Sequence, residues 1–118
     1  MAAMSPSPQT ILQQALSLHR QGDAAGAERL YRAVLAELPG NAEAAHNLGL
    51  VLTEKGVPSE ALAQFQAALK SQPGVGQYWL SYANALLVTG HPREAQLVLS
   101  RGQQRGLAFP GVIEGRRP

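Results

Sequence analysis

Hydrophobic residues recur along the chain at three- and four-residue intervals, and glycine or proline interrupts each run. Ala45, Leu48 and Leu52 form one such stripe, and a second stripe begins a few residues after Gly56. Intervals of this kind place side chains on one face of an α-helix. The pattern predicts an all-α chain with six helices near 9–21, 24–38, 42–55, 58–71, 76–89 and 92–105.

The breaks between the predicted helices follow a fixed period. Gly22, Gly56 and Gly90 are each 34 residues apart. The same step relates three further sets of positions: Ala27, Ala61 and Ala95; Tyr31, Phe65 and Leu99; and Pro39 and Pro73. A period of this length, held in register at several positions, indicates stacked units that each contain one helical hairpin.

Residue types at the breaks agree with a helical hairpin. A glycine such as Gly56 supplies the left-handed conformation that commonly ends a helix. Pro58 and Pro92 suit the first turn of the next helix, where the missing N–H group costs nothing. Glu60 and Glu94 follow in that turn, where the helix dipole favours a negative charge. We therefore expect each glycine to fold two helices back on each other.

The repeated residues resemble the tetratricopeptide repeat, whose pattern is W-x2-L-G-x2-Y, then A-x3-F, then proline, over about 34 residues. The second unit matches best, and the third carries the signature Trp79 but has Leu99 in place of the aromatic residue. The matching positions of the second unit are Ala45, Leu48, Gly49, Leu52, Gly56, Ala61, Phe65, Ala68 and Pro73. The resemblance covers about residues 8–107 and implies an α-solenoid, a right-handed superhelix of three hairpins.

This resemblance divides the chain into repeats at 8–41, 42–75 and 76–107. Residues 1–7 are expected to be a disordered N-terminus, and residues 108–118 a flexible basic tail. Up to Leu99 the chain has six Lys and Arg against seven Asp and Glu, whereas four arginines and one glutamate follow. The basic excess therefore lies at the end of the chain.

Composition narrows the classes of function. The chain has no cysteine, which excludes a disulfide framework, a thiolate metal site and a thiol nucleophile. The N-terminus lacks the features of a secretory signal. No stretch reaches the roughly 18 apolar residues of a membrane span. We expect a soluble, cytoplasmic protein without membrane contact.

Catalytic and metal-binding patterns are not found in the sequence. His19, His46 and His91 are too far apart for the three- or four-residue spacing of helical metal ligands. No Ser-His-Asp arrangement and no glycine-rich phosphate loop can be recognised. The sequence thus predicts a protein that is not an enzyme and has no cofactor or metal, with His46 as a solvated histidine.

The resemblance implies that the first helix of each hairpin lines a concave groove. Residues expected to face this groove combine leucines with polar side chains, which suits an extended peptide or an amphipathic helix. The expected groove residues are Leu12, Leu16, Glu43, His46, Asn47, Leu50, Gln77, Leu80, Ser81 and Asn84. Leu87 is also expected to face the groove, and an alternative for Leu12, Leu16 and Leu87 is packing between neighbouring helices.

A known ligand mode of the family does not fit these residues. Repeats that clamp the acidic C-terminal tails of chaperones use lysine, arginine and asparagine at positions that correspond to Leu12, Leu16, Asn47, Gln77 and Ser81. Only Asn47 agrees, and a carboxylate buried without a cation is unfavourable.

Other interpretations remain open at this stage. The third repeat is also similar to the last repeat of bacterial proteins in which a short array precedes a sulfotransferase, methyltransferase or glycosyltransferase domain. This second resemblance implies that the chain is the non-catalytic N-terminal arm of a larger transferase rather than a free-standing scaffold. Exposed terminal helices favour a homo-oligomer. Nucleic-acid binding through the arginine tail is the least favoured interpretation.

Overall fold

The computed structural model describes residues 6–107, and it contains six α-helices across this part of the chain. They are α1 (Pro8–Arg20), α2 (Ala24–Glu37), α3 (Ala42–Glu54), α4 (Pro58–Ser71), α5 (Gly76–Val88) and α6 (Pro92–Gln104). Every predicted helix is present, with both ends within one residue of the expected position. Residues 6–107 contain no strand, so the all-α prediction is confirmed. The expectations for residues 1–5 and 108–118 lie outside the described residues.

Polar side chains or prolines mark the starts of five of the six described helices, all except α5. The Ser7 hydroxyl accepts a hydrogen bond from the Thr10 N–H at 3.1 Å, and Asp23 and Asn41 cap α2 and α3 in the same way. Pro58 and Pro92 begin α4 and α6, as the sequence predicts. Each cap satisfies a backbone N–H group that has no partner within its helix.

The three repeated glycines have one conformation and one hydrogen-bonding pattern. Their φ angles are +88°, +86° and +87° at Gly22, Gly56 and Gly90. In each turn the N–H after the glycine donates to a carbonyl five residues earlier, as between Val57 and Leu52 at 2.9 Å. This is the Schellman arrangement that ends a helix with a left-handed residue. The repeated glycine turns therefore set the reversal of each hairpin.

Small side chains allow the helices to pack closely. Ala27, Ala61 and Ala95 are all buried, and each lies early in the second helix of its hairpin. At Gly49 on α3, a β-carbon would lie 2.5 Å from Cε1 of Phe65 on α4. Glycine at this position therefore makes room for the aromatic ring, which fills the space between the helices.

One apolar core runs through consecutive hairpins. Tyr31, Val34, Leu48, Val51 and Phe65 belong to the same buried cluster, although they come from two hairpins. Helix α3 packs on both α2 and α4, and α5 packs on both α4 and α6. Each hairpin thus uses its neighbour to bury its apolar face, which is how solenoids gain stability.

Candidate binding groove

The first helices α1, α3 and α5 present equivalent positions at one-repeat intervals. Leu12, His46 and Leu80 occupy the equivalent position in the three repeats, and this position becomes more exposed toward the last hairpin. Leu12 is 6% exposed and belongs to the apolar core, which agrees with packing between helices. His46 is 8% exposed, whereas Leu80 is only partly buried. Side chains of the following hairpin cover His46, and no described hairpin follows Leu80.

The structure buries His46, which we expected to be solvated. Its Nε2 lies 2.8 Å from the Ser81 hydroxyl on α5, and its ring centroid lies 4.8 Å from that of Tyr78. The ring also contacts Phe65 from α4. Burial lowers the pKa of His46 to about 4, because the charged form is poorly solvated there. A neutral His46 therefore joins the second hairpin to the third.

A similar polar contact joins the first two hairpins. Nε2 of His19 lies 3.0 Å from a carboxylate oxygen of Glu54, and its Nδ1 lies 3.3 Å from the Tyr31 hydroxyl. Burial raises the pKa of Tyr31 to about 12, so this hydroxyl stays protonated at neutral pH while it shares a hydrogen bond with the imidazole. The three side chains form one chain of hydrogen bonds across α1, α2 and α3.

Sequence reasoning missed both pairs, although they share a spacing. His19 and Glu54 are 35 residues apart, and so are His46 and Ser81. A separation of one repeat plus one residue therefore brings side chains of successive first helices together. This spacing is the signal that could have paired His46 with Ser81 from the sequence alone.

A surface depression of about 210 Å³ lies between α3 and α5. Three predicted groove residues, Leu50, Ser81 and Asn84, come together in it. Thr53, Phe65, Ala85 and Val88 complete the lining. Val88 is 66% exposed at its edge, so an apolar surface is open to solvent. We call this surface the first-helix groove.

The other predicted groove residues lie elsewhere along the first helices. Glu43 and Gln77 are exposed, and Leu16 and Asn47 are partly buried. Leu16 packs against the core in the first hairpin, away from the depression. The predicted residues that line the depression thus come only from α3 and α5, between the second and third hairpins.

The first-helix groove is lined without charged side chains. None of its lining residues is a lysine, arginine, aspartate or glutamate. Within residues 6–107, no three histidine, cysteine, aspartate or glutamate side chains lie close enough together to hold a metal ion. In the same part of the chain, no helix has the length and apolar character needed to cross a membrane. The groove can offer apolar contact and neutral hydrogen bonds.

Comparison with known proteins identifies a matching family and several solved structures that are similar to this chain. The family model for the tetratricopeptide repeat matches residues 18–80. A Thermobaculum terrenum O-GlcNAc transferase mutant is 28% identical with a TM-score of 0.74, over 86% of this chain and 20% of that one. A crystal structure of MamA is 18% identical with a TM-score of 0.80, over 85% of this chain and 58% of that one.

This chain therefore spans about a fifth of the O-GlcNAc transferase chain and somewhat more than half of the MamA chain. No curated protein sequence matches it significantly. The family match covers more than half of the chain, and the six helices, the glycine turns and the Gly49–Phe65 contact agree with it. The chain belongs to the tetratricopeptide repeat family.

Proposed function

We propose that this protein is an interaction module that binds a peptide or helix of a partner protein in the first-helix groove. The observation that supports this most is the open apolar surface formed by Leu50 and Val88 beside the amide of Asn84. Apolar contacts would supply affinity, and the amide and the Ser81 hydroxyl would orient the peptide. Because charged side chains do not line the groove, its preferred peptide is neutral and apolar where it makes contact.

The proposal can be tested by selecting peptides from a displayed random library on the intact protein. Selected peptides are then measured against the variant Leu50→Ala with Asn84→Asp, which removes apolar surface and adds a charge. A matched control is Leu30→Ala with Gln104→Glu, which makes the same kinds of change on α2 and α6. Groove binding predicts weaker binding by the first variant only. If the wild type and both variants bind the selected peptides with equal affinity, the proposal that peptides bind in the groove is wrong.

A second candidate function is a non-catalytic arm of a larger transferase, which would position a substrate or assemble the enzyme. The observation that favours it is the similarity to the O-GlcNAc transferase chain, of which this chain covers 20%. Sequencing the coding region downstream of Pro118 discriminates between the two. A reading frame that continues into a transferase domain supports the arm, and a stop codon near Pro118 supports the free-standing module.

A further inference from the structure

A larger cavity, of about 540 Å³, lies on the other flank of α5, where α4, α5 and α6 meet. Its residues fall into an apolar floor and a mostly cationic rim, and we call it the second-helix pocket. Trp79 and Tyr82 reach it from α5, roughly 100–180° around the helix from Ser81 and Val88. The second-helix pocket is therefore a separate surface from the first-helix groove.

The floor of the second-helix pocket is held in place by its own contacts. The indole N–H of Trp79 donates a hydrogen bond to the Pro73 carbonyl at 2.8 Å, and Trp79 is 8% exposed. Leu97 on α6 is 56% exposed beside it. A fixed aromatic ring next to an exposed leucine gives an apolar side chain a preformed place to bind.

Three cations surround this floor: Lys70, Arg101 and Arg105. Within residues 6–107, none of them lies within 4.0 Å of a carboxylate oxygen. Lys55 and Arg32, in contrast, both pair with Glu28. The guanidinium of Arg105 instead lies 5.8 Å from the Trp79 ring centroid. The pocket thus offers three cations against one lining carboxylate, that of Glu94.

The repeat itself shows that the fold does not require these cations. One repeat earlier, the positions of Lys70, Arg101 and Arg105 hold Ala36, Ala67 and Ser71. Trp79 and Leu97 likewise correspond to Ala45 and Ala63. At these five positions the first pair of hairpins has small, neutral residues, whereas the second pair has cationic or large apolar ones. A difference concentrated at one place indicates a local binding role.

We propose that the second-helix pocket binds an acidic, apolar peptide segment of a partner protein. An apolar side chain of the peptide contacts Trp79 and Leu97, and flanking carboxylates pair with the rim cations. Arg101 and Arg105 are four residues apart and therefore lie on the same side of α6, with about 6 Å between their β-carbons. Arginine suits this role because its guanidinium group holds a carboxylate through two parallel hydrogen bonds.

Trp79 is the only tryptophan in the chain, so its fluorescence reports directly on the pocket. The probe is a hexapeptide of alternating glutamate and leucine, acetylated and amidated at its ends, and a second peptide carries glutamine in place of glutamate. Titrating the full chain with the first peptide should change the Trp79 emission in a saturable way. Raising the salt concentration should weaken this binding.

The pocket variant combines Lys70→Ala, Arg101→Ala and Arg105→Ser, which copies the residues of the preceding repeat. Its matched control is Arg20→Ala, Arg29→Ala and Arg93→Ala, which removes three exposed cations elsewhere. We expect the pocket variant to bind the glutamate peptide about tenfold or more weakly, and the control to bind as the wild type does. If the pocket variant loses helix content, Arg101→Ala alone replaces it.

Two further results distinguish binding in this pocket from binding at another surface of the protein. Leu50→Ala with Asn84→Asp should leave the affinity unchanged, because it alters only the first-helix groove. Equal affinity of the wild type and the pocket variant, or equal binding of the glutamine peptide, would overturn the proposal. A Trp79 emission that depends on protein concentration without peptide would assign the pocket to a second copy of the chain, and would also overturn it.

Discussion

Replacing His46 with leucine is expected to remove a large part of the acid sensitivity of the fold. The imidazole is 8% exposed between α3 and α5, and burial lowers its pKa from 6.5 to about 4. In the unfolded chain it titrates near 6.5, so between these two values the unfolded state binds more protons than the folded state. The free energy of unfolding must therefore fall as the pH decreases through this range.

The size of the effect follows from the two pKa values. Between pH 7 and pH 5 the shift of His46 lowers the free energy of unfolding by about 2 kcal/mol, and by about 3 kcal/mol once the pH is below both values. A domain of this kind is stable by roughly 5–15 kcal/mol, so the loss is measurable. Leucine is a suitable replacement because Leu12 occupies the same position one repeat earlier.

Urea unfolding followed by far-UV circular dichroism tests this, with the wild type and His46→Leu measured at both pH values. Between pH 7 and pH 5, the free energy of unfolding should fall by about 2 kcal/mol less in the variant than in the wild type. Other titrating groups are the same in both proteins and cancel in this difference. Parallel losses in the two proteins would refute the reasoning, because they would mean that His46 is solvated or already charged in the folded state.

Two glycines give further predictions. Gly49→Ala should destabilise the fold by about 1 kcal/mol, because crowding against Phe65 outweighs the gain in helix propensity. In a double-mutant cycle, Phe65→Leu should lower the free energy of unfolding less in the Gly49→Ala protein than in the wild type. Gly56→Ala should cost about 1–2 kcal/mol through its left-handed backbone alone, since no atom lies within 4 Å of the added carbon. Gly74→Ala, equally open but without a left-handed φ, is its control and should change the melting temperature little. Equal effects at Gly56 and Gly74 would contradict the assignment of strain to the turn.

The sequence was sufficient to predict the helices because the signals that end them are local. Gly56 fixes a left-handed turn and Pro58 fits the first turn of the next helix, and neither depends on distant contacts. The 34-residue period then places each hairpin on the next one. Local signals and one repeated interval therefore determined both the helix boundaries and the solenoid.

The details of the candidate site depend on which side chains the next hairpin covers. His46 looks like a surface residue on its own helix, and only the arrival of Ser81 and Tyr78 from α5 buries it. The second-helix pocket was missed for the same reason, since Lys70 and Arg101 come from different hairpins. Trp79, which the sequence identified only as the signature residue of the third unit, also lines that pocket. Contacts between repeats were thus the part that spacing within one helix could not predict.

The most direct test of the central claim is to map a selected peptide onto the protein by NMR. Backbone amide shifts of the isotopically labelled full chain are recorded during titration with a peptide from the displayed library. Binding in the first-helix groove predicts the largest changes at Leu50, Ser81 and Asn84, and their loss in the variant Leu50→Ala with Asn84→Asp. Changes confined to α2 and α6, with those three residues unaffected, would contradict the account.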